Sequence, residues 1–312
     1  MRSQNPAFAT LAVLLNFGYI SCCLQGTCNP DNRLCLCDNN HESRPCSIKL
    51  NTCHSSTCVH GNCIFNKVNH TCTCNCLDDS AETTLIKDEI ATDCFDVRKK
   101  KIGTTSGVYS VMLWKSKQVI DVYCDMETDK GGWTVFQNRF DGSVDFYRNS
   151  TEYTEGFGSL NGEFWLGLRY IQEMAEQGKT YLRLDVTAAD GEHVYEVFRN
   201  FKLSEPPDYY LKIGKQTVKP LSDNEFGFSL SRGCKFSTYD RDVDKSGVRH
   251  CAELYRGGWW YWDCAQANLN GEYMIPPGSK SQYDIGFGGF IYYAFKGTDS
   301  LKSSKIMFRR RK

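Results

Sequence analysis

The cysteines are spread so unevenly that they divide the chain before any other feature is read. Of 17 cysteines, twelve lie between Cys22 and Cys76, and the other five, Cys94, Cys124, Cys234, Cys251 and Cys264, are scattered over the remainder. A segment as short as residues 22–76 cannot bury enough apolar surface to fold on a core alone. It needs covalent cross-links, and those persist only in an oxidising compartment. The spacing predicts a disulfide framework over 22–76 and a conventionally packed domain after it. Zinc is the competing use of pairs such as Cys35-Leu36-Cys37 and Cys72-Thr73-Cys74, but in an exported chain the disulfide use is favoured.

Export is also what the N-terminus predicts. Arg2 precedes an apolar stretch, Ala7 to Ile20, interrupted by Thr10, Asn16 and Gly18. It is too short to cross a bilayer and reads as a secretory signal peptide over residues 1–21. Cleavage there leaves all twelve N-terminal cysteines in the mature chain. The sequons Asn69-His70-Thr71 and Asn149-Ser150-Thr151 make Asn69 and Asn149 glycosylation candidates on a secreted, extracellular protein. The formal net charge is zero, which gives no general reason to expect nucleic acid or an anionic membrane as partner.

Residues 77–91 are polar, free of cysteine and read as a linker. The basic run Arg98-Lys99-Lys100-Lys101 is a heparin patch, a processing site or, the favoured reading, a solvated loop. Arg309-Arg310-Arg311-Lys312 is an anionic-glycan contact or, the favoured reading, a frayed, solvated end. Between them, over 92–312, aromatics are dense, glycines frequent and apolar runs short. Trp133–Gln137, Tyr181–Val186 and His193–Phe198 have strand character, the last two joined by a turn at Asp190-Gly191. Phe164–Ala175 has the pattern of a short helix. The fold class expected is α+β, a central antiparallel sheet with few helices and long loops.

Two resemblances follow from local motifs. The C-x-C steps and His60-Gly61-Asn62-Cys63 resemble epidermal-growth-factor-like modules over 22–76, with a departure at Cys76, which follows Cys74 where that family has a longer final loop. The pairing of these cysteines stays open. The second region is similar to the fibrinogen C-terminal-like domain family. The residues that carry this are Cys124–Arg139 with its Gly131-Gly132-Trp133, then Asp141–Arg148, Gly156-Phe157-Gly158 and Gly162–Gly167. Phe236–Asp244, Gly258–Cys264 and Asn268-Leu269-Asn270-Gly271 follow in the family's order.

That resemblance implies the bridges Cys94–Cys124 and Cys251–Cys264, and leaves Cys234 as a buried thiol or an intermolecular partner. It also implies a calcium loop. Asp240, Asp242 and Asp244 alternate over five residues and, by composition alone, suit a solvated turn. By resemblance, Asp242 and Asp244 supply carboxylates to Ca2+, with carbonyls of Ser246 and Val248 completing the shell, while Asp240 holds the loop by hydrogen bonds. A cis bond before Cys251 and a ligand pocket of His250, Cys251, Ala252, Tyr255, Tyr283 and Asp284 are implied in the same way. Amides of Cys251 and Ala252 would donate to an acetyl carbonyl.

Three functional classes are weighed. The main expectation is a calcium-dependent lectin for acetylated glycans on microbial surfaces, active in innate immunity. The alternative is an extracellular matrix or signalling ligand that binds a cell-surface receptor or matrix protein through the fibrinogen-like domain. An enzyme is disfavoured, because no nucleophile with an adjacent base and orienter is visible. A homo-oligomer is expected, since linked weak sites gain avidity.

Overall fold

The computed structural model describes residues 90–218, 227–264, 266–280 and 288–311, together with the backbone of four short strands nearer the N-terminus. The chain divides into two compact units, Met1–Ile86 and Lys87–Lys312.

In the first unit the backbone forms two antiparallel hairpins. Gly26–Asn29 pairs with Leu34–Cys37, placing Cys28 opposite Cys35. Gly61–Asn66 pairs with Thr71–Cys76, placing Cys63 opposite Cys74. The signal peptide, the cysteine pairing that defines an epidermal-growth-factor-like module, and the sequon at Asn69 all lie outside the described residues.

In the second unit, alternation of apolar side chains builds one antiparallel sheet. Its strands in chain order are β1 (Gly107–Met112), β2 (Val119–Asp125), β3 (Trp133–Arg139), β4 (Phe157–Gly158), β5 (Phe164–Trp165), β6 (Thr180–Thr187), β7 (His193–Arg199), β8 (Gln216–Val218) and β9 (Ser303–Arg310). The spatial order is β8-β7-β6-β9-β3-β2-β1, with β5 beside β3 and β4 beside β5. The expected strands at 133, 181 and 193 are present. In β6, Leu182, Leu184 and Val186 point into the core, as a half-buried strand of period two requires. The C-terminal strand β9 occupies the middle, with Phe308 opposite both Leu182 and Thr134. The expected frayed end is therefore corrected: Arg309 and Arg310 belong to a central strand.

The expected helix at Phe164–Ala175 is shorter than its apolar pattern suggested. Phe164 and Trp165 pair with Asn138 and Gln137 in the sheet, and the helix α3 runs Leu168–Glu176. Gly167 separates them at φ 112°, where an added Cβ would lie 2.8 Å from the Glu155 backbone. Two smaller helices flank the sheet, α1 (Cys94–Lys99) and α2 (Ser150–Glu155). Asn149 caps α2 in a capping box, its Oδ1 accepting from the Glu152 N–H at 2.8 Å. Arg98 and Lys99, expected in a solvated loop, form the last turn of α1 and are exposed.

The described residues between 227 and 302 carry little regular structure, so their backbone groups need other partners. Side-chain amides supply them. Asn268 Nδ2 donates to the Tyr255 carbonyl at 2.9 Å, Asn270 Nδ2 to that of Gly258 at 2.9 Å, and Gln137 Nε2 to that of Leu269 at 2.8 Å. Arg139 is wholly buried between the rings of Phe146 and Phe290, at 4.1 and 4.9 Å, and donates to the Gly271 carbonyl. Burial pulls its pKa down to about 10. Beneath the loops sit Trp165, Phe236, Trp259 and Trp260, packed edge-on or tilted against one another.

Candidate recognition site

Both expected bridges of this unit are present. Cys94–Cys124 ties α1 to β2, and Cys251–Cys264 closes the loop that precedes and follows the buried Trp259-Trp260-Tyr261 run. Cys234 is a buried free thiol whose pKa is raised by that burial.

The acidic loop is ordered by its own carboxylates. Asp240 accepts from the Ser150 N–H at 2.9 Å, the Ser150 hydroxyl at 3.0 Å and the Thr238 hydroxyl at 2.7 Å, pinning the loop to the start of α2. Asp244 Oδ1 accepts from the Ser246 N–H at 2.8 Å, and its Oδ2 from the Cys251 N–H at 2.8 Å. Burial raises the Asp244 pKa, its two backbone hydrogen bonds oppose that rise, and the neighbouring Asp242 adds to it. Two carboxylates thus crowd each other beside the Ser246 hydroxyl, a buried oxygen with no hydrogen-bond partner. That donor set suits a hard cation. Among the described residues no group of three or more His, Cys, Asp and Glu is placed to hold a metal. Such a cation would therefore have to draw on main-chain oxygens as well.

The expected acetyl pocket is not assembled as the motifs implied. The Cys251 N–H is already given to Asp244. Tyr255 is 3% exposed, packed against Tyr261 with ring centres 6.1 Å apart. Ala252 is fully buried in the short helix α4 (Cys251–Leu254). His250 turns its ring toward the Thr238 carbonyl at 3.1 Å and toward Glu253 at 3.3 Å. The cis bond expected before Cys251 is found instead before Cys264, at Asp263–Cys264. Tyr283 and Asp284 lie outside the described residues. Among the charged residues the loop exposes, such as Asp242, Lys245, Arg249 and Asp263, it also presents apolar ones: Trp262 is 51% and Val248 86% exposed, and Tyr239 stands out beside Tyr147 with ring centres 4.8 Å apart. The Lys245 N–H donates to the Trp262 carbonyl at 3.1 Å, so the acidic loop and the tryptophan are fastened to each other.

Residues 90–311 match the family described as fibrinogen beta and gamma chains, C-terminal globular domain. The chain belongs to this family. Its fibrinogen-like domain is similar to angiopoietin-2 of Bos taurus, 37% identical over 253 residues, which cover 79% of this chain and 49% of the relative. It is 36% identical over 234 residues to the fibrinogen alpha chain of Homo sapiens, covering 70% of this chain and 27% of the relative. The chain thus spans less than half the length of either curated relative. Among solved structures, the fibrinogen-like globe domain of human ANGPTL2 superposes with a TM-score of 0.66 at 34% identity, covering 71% of this chain and 100% of that one. A lamprey fibrin D-dimer complexed with the peptide Gly-His-Arg-Pro-amide gives 0.64 at 31%, covering 76% and 78%.

These similarities overturn the expectation of an acetyl-glycan lectin of innate immunity. The relatives are angiopoietins, fibrinogen chains and angiopoietin-like globes, which favours the signalling or matrix-ligand alternative. In this chain the motifs that suggested a sugar pocket build the loop lobe, with Trp259, Trp260 and Tyr261 buried and Asp240 tied to Ser150. No described helix is long and apolar enough to cross a membrane.

Proposed function

We propose that this protein is a secreted, non-enzymatic ligand whose fibrinogen-like domain binds a cell-surface receptor or matrix protein through the face built by residues 238–264. The observation that carries this is Trp262, a half-exposed tryptophan on a loop closed by the Cys251–Cys264 bridge and hydrogen-bonded to the acidic loop. An exposed aromatic anchor already held in place forfeits little conformational entropy on binding, and tryptophan is among the residues that dominate protein interfaces. Val248 and Tyr239 extend the apolar surface.

The test uses labelled full-length chain on cultured cells, stripped of sulfated polysaccharide by heparinase. The Trp262→Ala/Tyr239→Ala variant is expected to bind at least about tenfold more weakly, with an unchanged melting temperature. Wild-type binding by that variant would remove this face from consideration.

We further propose that Ca2+ stiffens the same face, held by the carboxylates of Asp242 and Asp244 with the carbonyls of Ser246 and Val248. The crowded carboxylate pair and the partnerless Ser246 hydroxyl support this reading. The ion would supply positive charge and structure, not chemistry. At roughly a hundredfold excess over its Kd, calcium is expected to add about 2.7 kcal/mol of stability, and Asp242→Asn to abolish the gain. Identical melting curves in calcium and in chelator would sink the assignment.

A further inference from the structure

Two basic runs far apart in the chain meet on the surface of the second unit. One is the end of α1, with Arg98, Lys99, Lys100 and Lys101 all exposed. The other is the end of β9 with Arg309, Arg310 and Arg311. Between them lies the turn that carries Lys130. Arg98, Lys130, Arg309 and Arg311, with Phe95 and Tyr181, line an open groove of about 470 Å³. It is separate in sequence and in lining from the 238–264 face.

The positive charge in this groove is only partly neutralised. Arg310 is committed to Asp93 and Asp96, at 2.5 Å each. Arg309 meets Asp129 at 3.1 Å, but that carboxylate is more than half exposed and screened. No carboxylate lies within ion-pair reach of Arg98, Lys130 or Arg311 among the described residues. Arg309 and Arg98 are near enough that, after burial, the Arg98 charge is a further influence lowering the Arg309 pKa.

The groove is also stiff. The Arg309 guanidinium lies 4.4 Å over the Trp133 ring and donates to the carbonyls of Asp129 and Gly131 at 2.6 and 2.9 Å. Arg311 lies 5.0 Å over the Tyr181 ring. Arg309 is thereby held by its own neighbours, whereas Arg311, with one face laid on the Tyr181 ring and no ion pair among the described residues, is left with its N–H edge for a ligand. That planar fork matches the oxygens of sulfate and carboxylate groups. The turn beneath Lys130 is tightly specified too, with φ of 41°, 69°, 66° and 79° at Asp129, Lys130, Gly131 and Gly132.

We propose that this groove binds a sulfated polysaccharide of the glycosaminoglycan type. A linear polyanion of repeating sulfate and carboxylate groups can engage cations contributed by three separate segments along one concave track. The concavity favours a chain over a flat membrane surface. A protein carrying no net formal charge overall can still hold such a polyanion, because the field that matters is local.

The probe is heparin. Full-length protein on immobilised heparin is expected to be retained at about 0.15 M NaCl and released as added salt screens the groove. The triple variant Arg98→Ala/Lys130→Ala/Arg311→Ala is expected to bind a heparin oligosaccharide at least about tenfold more weakly, since each lost contact is a charge-assisted hydrogen bond. It should keep the wild-type melting temperature, because these three side chains form no ion pair within the domain. A control triple, Lys212→Ala/Lys215→Ala/Lys302→Ala, removes the same charge elsewhere and should be retained like wild type. Equal salt elution of wild type and the groove variant would overturn the proposal. So would an equal loss in the control, or capture by phosphatidylserine vesicles without retention on heparin. None of these results bears on heparinase-resistant cell binding through Trp262, so the two readings can fail independently.

Discussion

Replacing Trp260 with alanine is expected to destabilise the fibrinogen-like domain by about 3–5 kcal/mol, read as a fall in the urea midpoint. Trp260 has no exposed surface. Its ring packs edge-on against Phe236 at 5.0 Å and Phe228 at 6.5 Å, and tilts against Trp165 at 6.1 Å. Its Nε1–H donates to the Tyr209 carbonyl at 2.8 Å. Truncation therefore opens a cavity in the aromatic layer and leaves a buried carbonyl without its donor. Set against the ~5–15 kcal/mol that holds a typical domain together, this loss should sharply lower the yield of folded protein. Trp262→Ala, two residues away, should leave the unfolding free energy within about 0.5 kcal/mol of wild type, because its ring is half in water. If both variants unfold alike, the loop lobe is not the rigid layer described above.

Arg310→Ala should produce a loss of similar size, about 3–5 kcal/mol, for an electrostatic reason. Asp93 is 1% exposed and receives two guanidinium hydrogen bonds, at 2.5 and 3.0 Å. It also caps α1 by accepting from the Asp96 N–H at 2.9 Å. Burial pushes the Asp93 pKa up, and the Arg310 charge and hydrogen bond oppose that rise. Without the arginine a buried carboxylate faces no cation. The double variant Asp93→Asn/Arg310→Met tests the cause: asparagine preserves the cap and methionine fills the volume. It should recover more than half of the loss. If it is no better than Arg310→Ala, the arginine contributes through packing alone.

How far the residues could be read in advance depended on what kind of signal each carried. The family, the two bridges and the strands at Trp133, Tyr181 and His193 were legible, because ordered motifs, turn signals and short apolar runs are local patterns; Trp133–Arg139 is buried on both faces and does not alternate. Phe164-Trp165 fits a helical stripe and a short strand equally well, and only the sheet partners Asn138 and Gln137 decide between them. Nothing in the run Trp259-Trp260-Tyr261-Trp262 marks the last aromatic as the exposed one. Three vanish into the core while the fourth faces water, a difference set by loops from distant sequence. The cations of Arg98 and Arg311 read as two solvated runs because their meeting depends on β9 passing between β6 and β3. The ligand was misread for a related reason: the motifs do not show that Tyr255 and Ala252 are buried and that the Cys251 N–H is already given to Asp244.

The position of β9 also governs how the domain can be made. The ribosome delivers β1–β3 and β6–β8 first, yet within the seven-strand order these two groups share no direct pairing and are joined only through β9. Until residues 303–310 emerge, the nascent chain carries two half-sheets, each with an open, apolar edge at β3 or β6. Such edges invite pairing with other chains. Biosynthesis of this protein must therefore shelter a late-closing sheet. A message truncated upstream of Ser303 yields one chain with two unsealed half-sheets, where a shortened but working globe would otherwise be the natural guess.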